Sequence, residues 1–230
     1  MADDFTWSTG REIAQAVAAG KVSALAVTEA ALKVIEARNP ALNAFTAVTA
    51  ERARKRAKAI DMSSESKKLP LAGVPFAVKN LFDVAGLATV AGSKINRAYP
   101  PARRDAELVE RMEKAGAVLI GATNMGEYAY DFTGENVHDG PSRNPHDITL
   151  MSGGSSGGSG SAVGGGLVPL ALGSDTNGSI RVPSSLCGIF GLKPTYGRLS
   201  RARSFPFVAS LDHLGPFARS ARDLSISYDA

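Results

Sequence analysis

Ten of the 24 glycines in this 230-residue chain fall in the 29 residues from Met151 to Ser179, where an even spread would place about three. Glycine is needed where backbone turns tightly, takes positive φ or approaches another backbone or a ligand, so this stretch constrains the fold more than any other. Three readings compete for Met151-Ser-Gly-Gly-Ser-Ser-Gly-Gly-Ser-Gly-Ser161. A flexible linker fits the composition. A linker should separate autonomous units, yet this segment leads into the apolar run Leu167-Val-Pro-Leu-Ala-Leu172 and a second turn, Ser174-Asp-Thr-Asn-Gly-Ser179. A phosphate loop fails on spacing: no lysine follows the last glycine, and Val163 stands where a dinucleotide fingerprint requires glycine. Backbone amides here remain suited to an anion or an oxyanion.

Nucleophilic catalysis is the third reading, and it has two forms. Gly153-Gly-Ser155-Ser-Gly157 and the overlapping Gly154-Ser-Ser156-Gly-Gly158 both satisfy G-x-S-x-G, with Asp175 and His213 following in the order Ser, Asp, His. The pattern arises readily by chance in such a tract, and 20 residues between Ser155 and Asp175 leave little room for intervening elements. The other form uses lysine as the base.

Along the chain, Ser23 is placed to cap a helix carrying Leu25, Leu32 and Ile35 near a 3.6-residue period, with Asn39-Pro40 as its stop. Arg52, Arg54, Lys55, Arg56 and Lys58 read as the solvated face of a second helix, and 62–68 as a polar loop. Leu71 to Val78 reads as a buried strand ending in Lys79. Leu108, Met112 and Ala115 form the stripe of a helix closed by Gly116, which feeds the apolar run Ala117 to Ile120. Ser220 to Tyr228 is again helical. Helices alternating with buried strands indicate an α/β layer architecture.

Composition excludes several classes. With 44% hydrophobic and 21% charged residues the chain is neither disordered nor collagen-like. No apolar run reaches the length of a membrane span, and Met1-Ala2-Asp3-Asp4 is acidic where a signal peptide is basic, so a cytoplasmic location is expected. One cysteine and three scattered histidines match no zinc spacing, so no metal is expected. A net charge of +4 without an aromatic ladder argues against direct nucleic-acid binding.

Four segments, Pro75-Phe-Ala-Val-Lys79-Asn80, Gly153-Gly-Ser155-Ser-Gly-Gly158, Gly173-Ser-Asp-Thr-Asn-Gly-Ser179-Ile-Arg181 and Cys187-Gly-Ile-Phe-Gly-Leu-Lys-Pro194, together resemble the amidase signature family. The similarity runs from about Ser8 to the end of the chain. It implies a central mixed β-sheet covered by helices, in a single domain over 1–230 with a helical lead-in at 1–61 and a catalytic core at 69–200. Because family members are commonly longer, the C-terminal half is expected to be absent. The resemblance further implies a Ser-Ser-Lys triad: Ser179 as acyl nucleophile, Ser155 as a bridging serine after a cis peptide bond, and Lys79 as base, with no cofactor.

The chemistry suits those residues. A serine hydroxyl attacks only as its proton is removed, and lysine removes it only when neutral. Lowering a lysine from about 10.4 to roughly 7 to 8 disfavours its charged form by ~3 to 5 kcal/mol, for which burial is the expected source. Without the other motifs, a lysine at a strand end would simply reach water. The turn Thr176-Asn177-Gly178-Ser179 is expected to offer amides to an oxyanion, although the family often has glycine where Asn177 stands. By resemblance, Ser156, Asp175 and Arg181 hold the two loops together; the alternative for Arg181 is to bind a substrate carboxylate. Cys187 reads as a small packed residue. Tyr128, Tyr130 and His138 lie in a loop, either plain surface or pocket lining.

Within the family, Ala91-Gly-Ser-Lys-Ile-Asn96, Met125-Gly-Glu-Tyr128 and Phe132 to Gly140 look most similar to bacterial carboxybiuret hydrolases. A small ureido or carboxylated amide is therefore the expected substrate. The alternatives are the glutaminase subunit of a tRNA-dependent amidotransferase and an inactive truncated fragment or binding module. A homodimer or a small accessory subunit is the expected assembly.

Overall fold

The computed structural model describes residues 5–230; the acidic Met1-Ala2-Asp3-Asp4 lies outside the described residues. Six strands form one mixed sheet in the order β1-β3-β2-β4-β6-β5. They are β1 (Phe45–Val48), β2 (Pro75–Lys79), β3 (Val118–Thr123), β4 (Leu170–Asp175), β5 (Phe190–Gly191) and β6 (His213–Ala218). The helices are α1 (Gly10–Ala18), α2 (Ala24–Leu42), α3 (Ala50–Asp61), α4 (Glu107–Lys114), α5 (Gly157–Gly164), α6 (Arg181–Leu186) and α7 (Ala221–Asp229). The central strand β2 runs parallel to β3 on one side and to β4 on the other, while β1, β5 and β6 join antiparallel. The carboxyl end of β2 is thus a point where connections diverge to either side, the place where open α/β sheets bind ligands. Lys79 ends that strand.

Burial explains why β2 reads as a continuous apolar run: Phe76, Ala77 and Val78 have no exposed surface, because both faces of a parallel sheet centre are covered. The strand starts at Pro75 rather than Leu71, since Gly73 takes φ +72° and Val74 N–H bonds back to Leu71 O to make a turn. The lead-in is not wholly helical, because β1 forms one edge of the sheet. Beyond residue 200, β6 pairs with β4 along its whole length. The two ends of the chain are tied through Asp223, buried in α7, whose carboxylate accepts from the N–H groups of Gly10 (2.8 Å) and Arg11 (2.9 Å) at the α1 N-terminus.

Two helices differ from expectation. α2 passes through Asn39-Pro40 and ends at Leu42. Pro40 sits in the last turn on the solvent side, where the lost hydrogen bond matters least, and Asn43 closes the helix with left-handed backbone (φ 49°) and its N–H on Asn39 O. The arginines of α3 are not simply solvated. Arg52 forks onto Asp105 (2.7 Å) and reaches Glu113 (2.9 Å), and Arg54 pairs with Glu29 (2.7 Å), so this face pins α3 to α4 and α2.

Half of the glycine tract forms helix α5, and its glycines serve close packing. A Cβ at Gly158 would lie 2.5 Å from Ala44 O and from the backbone N and O of Asn124. With backbone on every side nothing can yield, so Gly158→Ala is expected to lower unfolding free energy by about 2 to 4 kcal/mol, read from urea denaturation. An unchanged midpoint would show that α5 can shift outward.

Candidate active site

Three loops meet at the carboxyl ends of β2, β3 and β4. Lys79 is fully buried, and its Nζ donates to Ser155 Oγ (2.6 Å) and to Ser174 Oγ (2.9 Å). Ser155 precedes α5, follows a cis Gly154–Ser155 peptide bond, and accepts Gly126 N–H at its carbonyl (3.1 Å). Burial pushes the Lys79 ammonium down to about 7, against the opposing pull of Asp131, Asp175 and Asp212. A lysine so placed exists partly as the free amine at neutral pH and can accept a proton from the hydroxyl it touches.

Ser156 sits beside Ser155 and fastens the first loop to β4, its hydroxyl donating to Ser174 O (3.1 Å) and accepting from Ser174 N–H (3.3 Å). Asp175, also fully buried, organises the second loop. Its carboxylate accepts from Gly178 N–H (2.7 Å), Ile180 N–H (3.1 Å) and Arg181 N–H (3.3 Å), and from the Arg181 guanidinium at 2.9 and 3.0 Å. Burial opposes ionisation here, but the Arg181 guanidinium and the three amides hold the carboxyl below its usual range. Arg181 is thereby engaged as a brace of the turn, which favours the structural reading over a substrate-carboxylate clamp.

Inside this ring of donors lies Ser179, 5% exposed. Among the described residues its hydroxyl makes no hydrogen bond, so the Lys79–Ser155 link is closed and a Ser155–Ser179 bond is not. Gly178 takes φ +124°, a conformation a side chain would strain, and its N–H is engaged by Asp175, which removes it from the amides open to an oxyanion. The N–H groups of Asn177 and Ser179 make no hydrogen bond among the described residues. Thr176 Oγ1 donates to Asp212 Oδ1 (2.5 Å), fixing the start of the turn.

No Ser-His-Asp chain is built among the described residues. His213 Nδ1 faces the carbonyls of Leu211 (2.6 Å) and Asp175 (3.2 Å), while the Asp175 carboxylate is saturated elsewhere. Nor does any described strand lead into Ser155 as a nucleophile elbow requires. Cys187 is fully buried, its Sγ on Ser152 O (3.4 Å), and burial pushes its thiol up to about 12, far from nucleophilic use.

Ser174 escaped the sequence reading. It stood inside a quoted motif one residue before Asp175, and the available signal was its place at the carboxyl end of a strand beside the lysine-bearing one. A cavity of about 140 Å³ opens beside it, lined also by Leu81, Phe205, Phe207 and Asp212.

The candidate site thus holds a buried lysine bonded to a serine at the end of a parallel strand, and a second buried serine in the carboxylate-braced turn after β4. The chain belongs to the amidase family, whose sequence model matches residues 26–230. It is 60% identical over 221 residues (95% of this chain, 48% of the relative) to AtzE, a 1-carboxybiuret hydrolase subunit of Pseudomonas sp. (strain ADP). It is 47% identical over 219 residues (95% of this chain, 45% of the relative) to a glutamyl-tRNA(Gln) amidotransferase subunit of Halorhodospira halophila. Among solved structures, it is similar to one reported as a vestigial protein complex bearing on the origins of an s-triazine catabolic enzyme (59% identity, TM-score 0.94, covering 96% of this chain and 49% of that one). The peptide amidase of Stenotrophomonas maltophilia is also similar (34% identity, TM-score 0.92, 98% and 48%). The chain spans about half the length of the curated relatives it matches.

Proposed function

We propose that this chain cleaves amide bonds through an acyl-enzyme on Ser179, with Ser155 relaying the proton to Lys79. The observation that carries this reading is the fully buried Lys79 Nζ, 2.6 Å from Ser155 Oγ and held near neutrality by its surroundings. Ser179 Oγ attacks the amide carbon while its proton passes to Ser155 Oγ, whose own proton moves to Lys79 Nζ. The oxyanion is received by the amides of Asn177 and Ser179. Collapse breaks the C–N bond, and the proton returns from Lys79 through Ser155 to the departing nitrogen. Water then attacks the Ser179 ester by the same relay and releases the acid. Asp175, Ser156 and Arg181 hold the two serine loops in register for these transfers.

The favoured substrate is a small ureido or carboxylated amide, on the strength of the 60% identical relative named for carboxybiuret hydrolysis. The amidotransferase relative supports a second reading, release of ammonia from glutamine for a partner protein. A partner belongs to both, since each relative is named as a subunit.

A fluorophosphonate probe tests the catalytic core of the proposal. Labelling located at Ser179 and lost in Ser179→Ala is the expected result. Label on another serine, or labelling indifferent to Ser179→Ala, would overturn it. Ammonia release from biuret-type amides, compared with release from glutamine in the presence of the other amidotransferase components, separates the two substrates.

A further inference from the structure

The buried serine and lysine groups are polar, but the surface beside them is aromatic. Phe132 is the pivotal residue, because it touches both serine loops. Its carbonyl accepts Gly154 N–H (2.8 Å), immediately before Ser155. Its ring edge lies 3.7 Å from where a Cβ would stand on Gly178, immediately before Ser179. The segment is pinned rather than loose: Thr133 O accepts Gly153 N–H (3.1 Å), and the Asp131 carboxylate accepts the N–H groups of Thr133 (2.7 Å) and Gly134 (2.8 Å). Even so, Phe132 is 53% exposed and Tyr130 is 83% exposed. Tyr130 packs at 5.7 Å, tilted by 42°, on Phe207, whose ring lines the cavity beside Ser174. Aromatic groups therefore stand at two places, Phe132 at the Ser179 turn and the Tyr130–Phe207 pair at the cavity that Ser174 also lines.

Resting on the amidase reading above, we propose that Phe132 is the specificity wall of the acyl pocket. It selects amides whose acyl group is flat and conjugated, ureido or aromatic, over those with a saturated chain. A rigid ring fixed by its own backbone receives a planar group face to face or offset with little loss of freedom on binding, whereas an alkyl chain must surrender its rotamers against the same surface. Phe132 touches the acyl group and takes no part in proton transfer, so its effect belongs in KM.

Benzamide and hexanamide, compared by ammonia release from the whole chain, provide the test. Phe132→Leu keeps an apolar side chain but removes the flat face. The ratio of kcat/KM for benzamide over hexanamide is expected to fall about tenfold, carried by KM for benzamide, and Phe132→Tyr is expected to restore it. An unchanged ratio in Phe132→Leu would overturn the proposal. So would an equal loss on both amides through kcat, which would make the ring a mere support for the Ser155 loop. Fluorophosphonate labelling of Ser179 in the same samples keeps the two readings apart. Labelled enzyme with an unchanged ratio defeats only the wall, while an unlabelled, inactive parent defeats the amidase reading and the wall with it.

Discussion

Lys79→Met is expected to reduce amide turnover by about three to four orders of magnitude while making the fold more stable below neutral pH. The activity loss follows from removing the basic group in contact with Ser155 that takes its proton; general-base groups contribute on the order of 10² to 10⁴ in rate. The stability gain follows from the same burial. In the unfolded chain this lysine titrates near 10.5, and in the folded protein near 7. Between those values the unfolded chain binds more protons, so the parent gains stability as pH rises across that window. Below pH 7 both states are protonated and the full penalty of burying the charge is present, roughly 5 kcal/mol. Methionine removes the penalty but strands the hydroxyls of Ser155 and Ser174, which offsets about 1 to 3 kcal/mol. Urea denaturation at pH 6 should therefore show the variant more stable than the parent, and the advantage should shrink toward pH 10. A variant less stable than the parent at pH 6 would mean that the lysine is not buried as a charge.

Asp175→Asn carries the next largest effect. One carboxylate arranges three backbone amides and a guanidinium around the Ser179 turn, and an amide side chain would present its NH₂ to donors. Leaving such groups unmatched in a buried site is expected to lower stability by about 3 to 5 kcal/mol and to reduce turnover by roughly 100-fold, because the nucleophile loses its fixed position. The difference from the parent should be constant above about pH 5. The parent's carboxylate contributes stability above its unfolded value near 3.8 and loses it as pH falls through the lower folded value, so the two proteins should converge in acid. Thermal melts from pH 3 to 7 measure this directly. Equal melting temperatures at pH 7 would mean that the turn holds without its carboxylate.

Much of the candidate site was legible because its residues stand in short segments. Lys79 at the end of an apolar run, Ser155 in a glycine tract and Ser179 in a second turn each carry a local signal, and the α/β alternation placed them on strand ends. What escaped depended on tertiary contacts. Ser174 is an unremarkable strand residue until β4 lies beside β2 and brings its hydroxyl to Lys79. The solvated reading of α3 holds for the exposed Lys55 and Lys58 but not for Arg52, because Asp105 and Glu113, its partners, lie 53 and 61 residues away in sequence. The glycine excess over 151–179 signalled close approach of a backbone or a ligand, and at Gly158 it is the backbone of Asn124 and Ala44 that approaches. Composition reported that something approaches closely, and only the fold tells which backbone it is. Gly178 illustrates the converse: its place in the turn was readable, but the capture of its N–H by Asp175 was not.

In the proposed mechanism a neutral lysine, acting through Ser155, activates Ser179. The rate of fluorophosphonate labelling at Ser179, followed from pH 5 to 9 in the parent chain and in Lys79→Met, addresses it most directly. The labelling rate is expected to rise with pH to a plateau with an apparent midpoint near 7, a value shared by the coupled group, and to be lost almost completely in the variant. A rate independent of pH across that range, or parental labelling in Lys79→Met, would contradict it.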